Sequence, residues 1–111
     1  MTAYAVAHLR AITVDQGVVD YLKGIDATLA PYDGRFIIHG GPKEELEGHF
    51  TDDLIVIAFP DLDAAHGWYR SPDYQALAPL RIQAAEGDVF LIDGVDADHR
   101  ATDILEGLGV V

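Results

Sequence analysis

A chain of 111 residues is long enough for one domain with one core and too short for two. It has no cysteine, which excludes disulfides, thiolate zinc sites, iron–sulfur clusters and a cysteine nucleophile. Half of its residues are hydrophobic, which argues against disorder; 19 acidic against 7 basic residues give a formal charge of −12, which argues against nucleic acid and anionic membrane surfaces as partners.

Ala3 to Leu9 reads as a first strand, with Tyr4, Val6 and His8 on one face and Ala3, Ala5, Ala7 and Leu9 on the other. Asp15 suits the cap of a helix in which Val18, Leu22, Ile25 and Leu29 recur at helical spacing, and Pro31 helps to end it. Gly17 and Gly24 weaken that helix by ~1 kcal/mol each against alanine. After the Asp33-Gly34 turn, Arg35 to His39 (RFIIH) is a short strand. Gly40 to Asp53 shows no period, and a connection of that length between paired strands is expected to be functional or mobile.

Leu54 to Phe59 (LIVIAF) is the strongest strand. Pro60-Asp61 ends it and opens a helix over Leu62 to Tyr69. Ser71-Pro72 restarts the helix, because serine caps well and proline fits the first helical position. This segment runs to about Ala85, with Pro79 expected to kink or shorten it and Gly87 to stop it. Asp88 to Asp93 (DVFLID) is the last strand. Ile104, Leu105 and Leu108 fit one short amphipathic helix in the remaining tail.

The order β-α-β-β-α-β implies an α+β, ferredoxin-like fold: a four-stranded antiparallel sheet with helices on one face. The domain occupies 1–94, and 95–111 is a C-terminal extension. No apolar run approaches the ~20 residues of a membrane span, and the N-terminus lacks the pattern of a signal peptide, so a cytoplasmic setting is expected. The strands are apolar on both faces, whereas helices cover only one. This predicts a homodimer whose sheets pack face to face. The alternative is that the tail covers the second face within one chain.

The strings YDGRFIIHGGP, LEG at Leu46 to Gly48, and IVIAFPDLDAAHGWYRSPDYQALAPLRIQAAEGDVFLIDG resemble the bacterial domain-of-unknown-function family 1330, of the dimeric α/β-barrel group. The stretch from Trp68 to Tyr74, with Arg81, is the most specific part. The resemblance runs from about Ala3 to Gly94. It implies a ferredoxin-like protomer, a barrel formed by two sheets, and a pocket between sheet and helices in each copy. It supplies no reaction: relatives in the wider group include cofactor-free oxygenases, isomerases and cyclases acting on small molecules, and members without known activity.

On the last helix, Tyr74, Leu77 and Arg81 share one face, the face that should meet the sheet. An arginine there needs a partner or a cavity. It is either an anchor for a carboxylate or enolate, or half of a salt bridge to an acid such as Glu47 or Asp93. Tyr74 is the preferred aromatic ligand contact, and Tyr21 on the first helix is placed to meet it across the pocket. Trp68 is a candidate wall of the pocket, with core packing as its other reading.

Three residues are candidates for acid–base work: His39 ahead of the Gly-Gly turn, and Glu47 and His49 in the long loop. The plain alternatives are a buried or interface histidine and a solvated acidic loop. No HxH, HxxH or HExxH spacing and no phosphate-binding string occurs, so neither metal nor cofactor is expected. Ser71 reads as a cap, and there is no nucleophile elbow around it. The function expected is that of a small cofactor-independent enzyme moving a proton on a small organic molecule, as isomerases and cyclases do. The alternative is a non-catalytic dimer that binds a small molecule or a protein.

Overall fold

Each long helix starts where a short polar side chain meets an unpaired N–H. The Val18 amide donates to Asp15 at 2.9 Å, the Ala64 amide to Asp61 at 2.7 Å, and the Tyr74 amide to the Ser71 hydroxyl at 3.2 Å. Such caps contribute about 1 kcal/mol each. In the computed structural model, which describes residues 1–109, the elements are β1 (Ala3–Arg10), α1 (Gln16–Leu29), a single 3₁₀ turn (Ala30–Tyr32), β2 (Arg35–His39), β3 (Asp53–Phe59), α2 (Leu62–Arg70), α3 (Pro72–Ala84), β4 (Glu86–Asp93) and α4 (Asp103–Gly107). The last two residues of the expected extension lie outside the described residues.

The strands form one sheet in the order β2-β3-β1-β4, and every neighbouring pair is antiparallel. This is the ferredoxin-like arrangement, with α2 and α3 together filling the place of the second helix. One face of the sheet carries the core. Ala5, Ile57 and Phe59 pack there against Ile25 and Leu29 of α1, Trp68 of α2 and Tyr74 of α3. Helix α1 lies close against α3 because Gly24 presents no side chain to Leu77; a Cβ there would stand 3.0 Å from a Leu77 methyl.

The helices leave the opposite face largely uncovered, although Val56 and Ala58 on it are buried. Ile38, Phe90 and Ile92 are 41%, 47% and 50% exposed. Among the described residues the tail does not fold back over them, because no other element packs against α4 beyond isolated touches.

Three local expectations change. Helix α3 runs through Pro79 without a break. Pro79 and Gln75 both lie on its exposed side, so the Gln75 carbonyl that loses its donor is open to water. Gly87 does not end α3; it lies within β4, where a Cβ would collide with the His8 carbonyl oxygen of β1. The third change is in β2. Phe36 faces Ile57, Ile38 faces Val56 and His39 faces Ile55, with the register broken between Phe36 and Ile38. Ile37 is thus an extra residue, a β-bulge. Simple alternation puts His39 with Ile37, whereas the bulge puts it with Phe36 on the helix side.

Candidate functional site

The site begins as an absence of side chains. β1 is a central strand, and toward the helices it presents Ala5 and Ala7. A methyl group reaches only part of the distance to α1 and α3. Flanked by Ile55 and Ile57 of β3, the unfilled space is a cavity of about 290 Å³. A cavity of roughly 150 Å³ already accepts benzene, so this one has room for a substituted ring. Its floor is sheet; its roof is α1 and α3, and its walls are mainly apolar.

A few polar groups enter it. Tyr21 of α1 and Tyr74 of α3 join hydroxyls at 2.8 Å, which clasps the two roof helices together. Burial pushes the Tyr21 phenol well above its ordinary 10.0, and the Tyr74 oxygen beside it adds to the rise. The nearby Arg81 guanidinium pulls the other way and loses. Tyr21 is therefore a neutral hydroxyl at any physiological pH.

Arg81 follows Tyr74 by two turns of α3 and lines the same cavity. Partial burial works against its charge, but the phenol oxygens of Tyr74 and Tyr21 outweigh this and push its pKa above the ordinary arginine value. It is a fixed cation. Among the described residues no carboxylate lies within 4.0 Å of it, so neither Glu47 nor Asp93 forms the expected alternative ion pair. No well-directed hydrogen bond shorter than 3.5 Å ties it to either phenol. The guanidinium faces the cavity beside the two phenol oxygens.

Trp68 gives the cavity its ring and keeps its N–H for structure. The indole donates to the Thr28 hydroxyl at 2.9 Å, and that hydroxyl donates to the Ile25 carbonyl at 2.6 Å. With its centroid 4.1 Å from the Tyr74 ring, Trp68 fixes where Tyr74 stands.

His39 stands at the mouth. Its imidazole stacks on Phe36 with centroids 4.4 Å apart and planes 11° from parallel, which fixes the ring while leaving it accessible. Glu47 and His49 are not brought to the cavity. Both lie in the exposed loop, and His49 pairs with Glu45 at 3.0 Å with its own side chain in water. The Gly-Gly turn sends the loop away: Gly40 and Gly41 adopt φ of 65° and 89°, left-handed backbone that glycine adopts freely. The loop's far end instead touches the uncovered sheet face, where Asp52 bonds His8 at 2.7 Å. Asp53 is a lining residue that sequence reading passed over. The signal was present: alternation along β3 puts it on the face of Ile55 and Ile57. Among the described residues no three His, Asp or Glu side chains converge to hold a metal ion.

The family model described as "Domain of unknown function (DUF1330)" matches residues 2–95. The chain belongs to the DUF1330 family. No curated protein matches this DUF1330 chain. Solved structures do resemble it. A protein of unknown function from Rhodopseudomonas palustris is 16% identical, with a TM-score of 0.63 over 86% of this chain and 83% of that one. A dimeric ferredoxin-like protein of unknown function from a Jannaschia species is 13% identical, with a TM-score of 0.65 over 85% and 100%. SnoaB, a cofactor-independent oxygenase from Streptomyces nogalater, is 13% identical, with a TM-score of 0.60 over 89% and 98%. At such identities the likeness is one of fold. No described helix is long and apolar enough to cross a membrane.

Proposed function

We propose that this DUF1330 protein is a homodimer whose protomers each bind a small organic acid, or its enolate, between sheet and helices and move a proton on it without a cofactor. The reading is carried by one observation: Arg81, half-buried on the wall of an apolar cavity, has no carboxylate partner among the described residues. A guanidinium offers paired donors in the geometry of a carboxylate or enolate, and apolar walls strengthen that contact. The overall charge of −12 opposes an anion at long range. Salt screens that field beyond about 8 Å in physiological buffer, so the contacting cation decides.

The chemistry then has two ends. Arg81 and the Tyr21–Tyr74 pair hold the oxyanion that forms when a neighbouring C–H loses its proton. His39 at the mouth takes that proton and returns it to a different carbon, which is an isomerisation. Imidazole is the side chain suited to both steps near neutral pH. The dimer is supported by the uncovered apolar sheet face and by the dimeric state of fold relatives such as the Jannaschia protein. A second reading is binding without turnover. It is favoured by the position of Glu47 and His49, which leaves His39 as the one histidine at the cavity.

The test is a thermal-shift screen of small carboxylic acids, keto acids and phenols against wild type and Arg81→Gln. A binder that raises Tm of the wild type and leaves the folded variant unmoved supports the anchor. That binder is then incubated in D2O with wild type and His39→Gln. Deuterium uptake at a ligand carbon, lost in the variant while binding persists, supports proton transfer. Binding with no uptake in either protein supports the second reading. An acid that stabilises both proteins equally removes Arg81 from the site.

A further inference from the structure

The tail beyond Val95 falls outside the match to the family and does not line the cavity. It leaves the sheet edge where the Gly94 amide donates to the Thr2 carbonyl at 2.8 Å. It then builds local order: the Arg100 amide donates to Asp103 at 3.1 Å, and His99 lies 3.7 Å from the same carboxylate. The result is α4, a helix of 5 residues. Isolated helices shorter than about 12 residues are marginal in water, so α4 needs a surface to lie on.

Among the described residues its own chain offers none in this arrangement. Ile104 and Leu108 are 61% and 67% exposed. The radius of gyration is 16.0 Å, against about 13 Å for a compact chain of this length. The tail therefore reaches away from the domain with its apolar side bare.

A matching surface exists on the domain. A groove runs between α2 and the free edge of β4, lined by Leu62, Val89, Phe90 and Leu91 with His66 and Arg70 among its polar groups. Among the described residues no carboxylate lines it. The tail carries Asp96, Asp98, Asp103 and Glu106 against a single basic residue, Arg100. Apolar meets apolar, and acidic meets basic. Phe90 also belongs to the uncovered sheet face, so the groove is continuous with the surface assigned above to the dimer.

We infer that α4 of each protomer is an exchanged arm that docks in the α2–β4 groove of a second copy. This rests on the dimer reading, and the two fail differently. The chain has no cysteine, so Leu105→Cys and Leu62→Cys each introduce a unique thiol. The two full-length variants are mixed, allowed to exchange subunits and treated with a short bismaleimide. The expected product has twice the 12.0 kDa chain mass and yields a peptide linking positions 62 and 105. The same two substitutions in one chain would give an internal link at 12.0 kDa if the arm folded onto its own domain, and that result overturns the proposal. Absence of any 62–105 link in a protein that light scattering shows to be dimeric overturns it as well. A monomer by light scattering overturns the dimer reading itself. As a second measure, Ile104→Asp with Leu108→Asp raises the dimer dissociation constant at least about tenfold if those side chains are buried. An unchanged constant counts against the arm.

Discussion

The cavity owes its size to Ala7, and replacing it gives a prediction whose sign is decisive. Ala7 lies on β1 between Ile55 of β3 and Val89 of β4, facing the roof helices. Ala7→Leu adds three carbons to a space of about 290 Å³. Each buried methylene contributes about 0.8 kcal/mol, or roughly 2.4 kcal/mol together. Fixing the leucine rotamer costs about 0.5–1 kcal/mol, leaving a net gain near 1.5 kcal/mol. For a domain of this size that is a rise in Tm of roughly 6 °C. The assay is thermal and urea unfolding, followed by the acid screen. The variant should be more stable and should no longer respond to any acid that stabilises the wild type. If the space is filled in solution, the same leucine overpacks the core and costs about 1–3 kcal/mol. A fall in Tm would therefore refute the cavity, and with it the site.

Arg81→Gln should weaken binding of an organic acid about ten- to hundredfold, measured by calorimetry, while the protein remains folded. Tyr21→Phe removes the bond to Tyr74 and should cost about 0.5–1.5 kcal/mol in urea unfolding at pH 7. The raised Tyr21 pKa also sets a pH dependence. Its stabilising contribution is complete below pH 10, the unfolded value, and is lost as pH climbs toward the higher folded value. Tyr21→Phe should therefore unfold less steeply than wild type above pH 10. Trp68→Ala should cost about 3–5 kcal/mol in urea unfolding, because it empties a core site and takes away the N–H that the Thr28 hydroxyl oxygen accepts. Glu47→Gln and His49→Ala should each change stability by less than about 0.5 kcal/mol and leave ligand binding untouched.

Much of the scaffold was legible because local chemistry and tertiary structure agree. Asp15 and Ser71 cap where short polar side chains should, and the alternation of β1 and β3 separates the two sheet faces as found. Helical spacing alone puts Tyr74 and Arg81 on one face, and the packing of α1 on α3 then brings Tyr21 to Tyr74. Where the reading failed, a second partner decided. Pro79 does not break α3 because the orphaned carbonyl finds water on the exposed side. Glu47 and His49 share a loop with the site's edge, but two left-handed glycines turn that loop away from the cavity. The cavity itself was readable in principle. Two alanines, Ala5 and Ala7, on one face of a central strand cannot fill the space beneath two helices, though the pattern looks like unremarkable small packing.

The bulge at Ile37 bears on more than the aim of His39. β2 is an edge strand, and RFIIH is a short apolar run of the kind that recruits a second chain by strand-to-strand pairing. An extra residue interrupts its ladder and twists the free edge, which makes it a poor template for growth. One inserted isoleucine thus aims an imidazole at the cavity mouth and disfavours pairing along the free edge. Any redesign that straightens β2 would bring both problems back together: an imidazole turned out of the cavity and a sheet edge open to accretion.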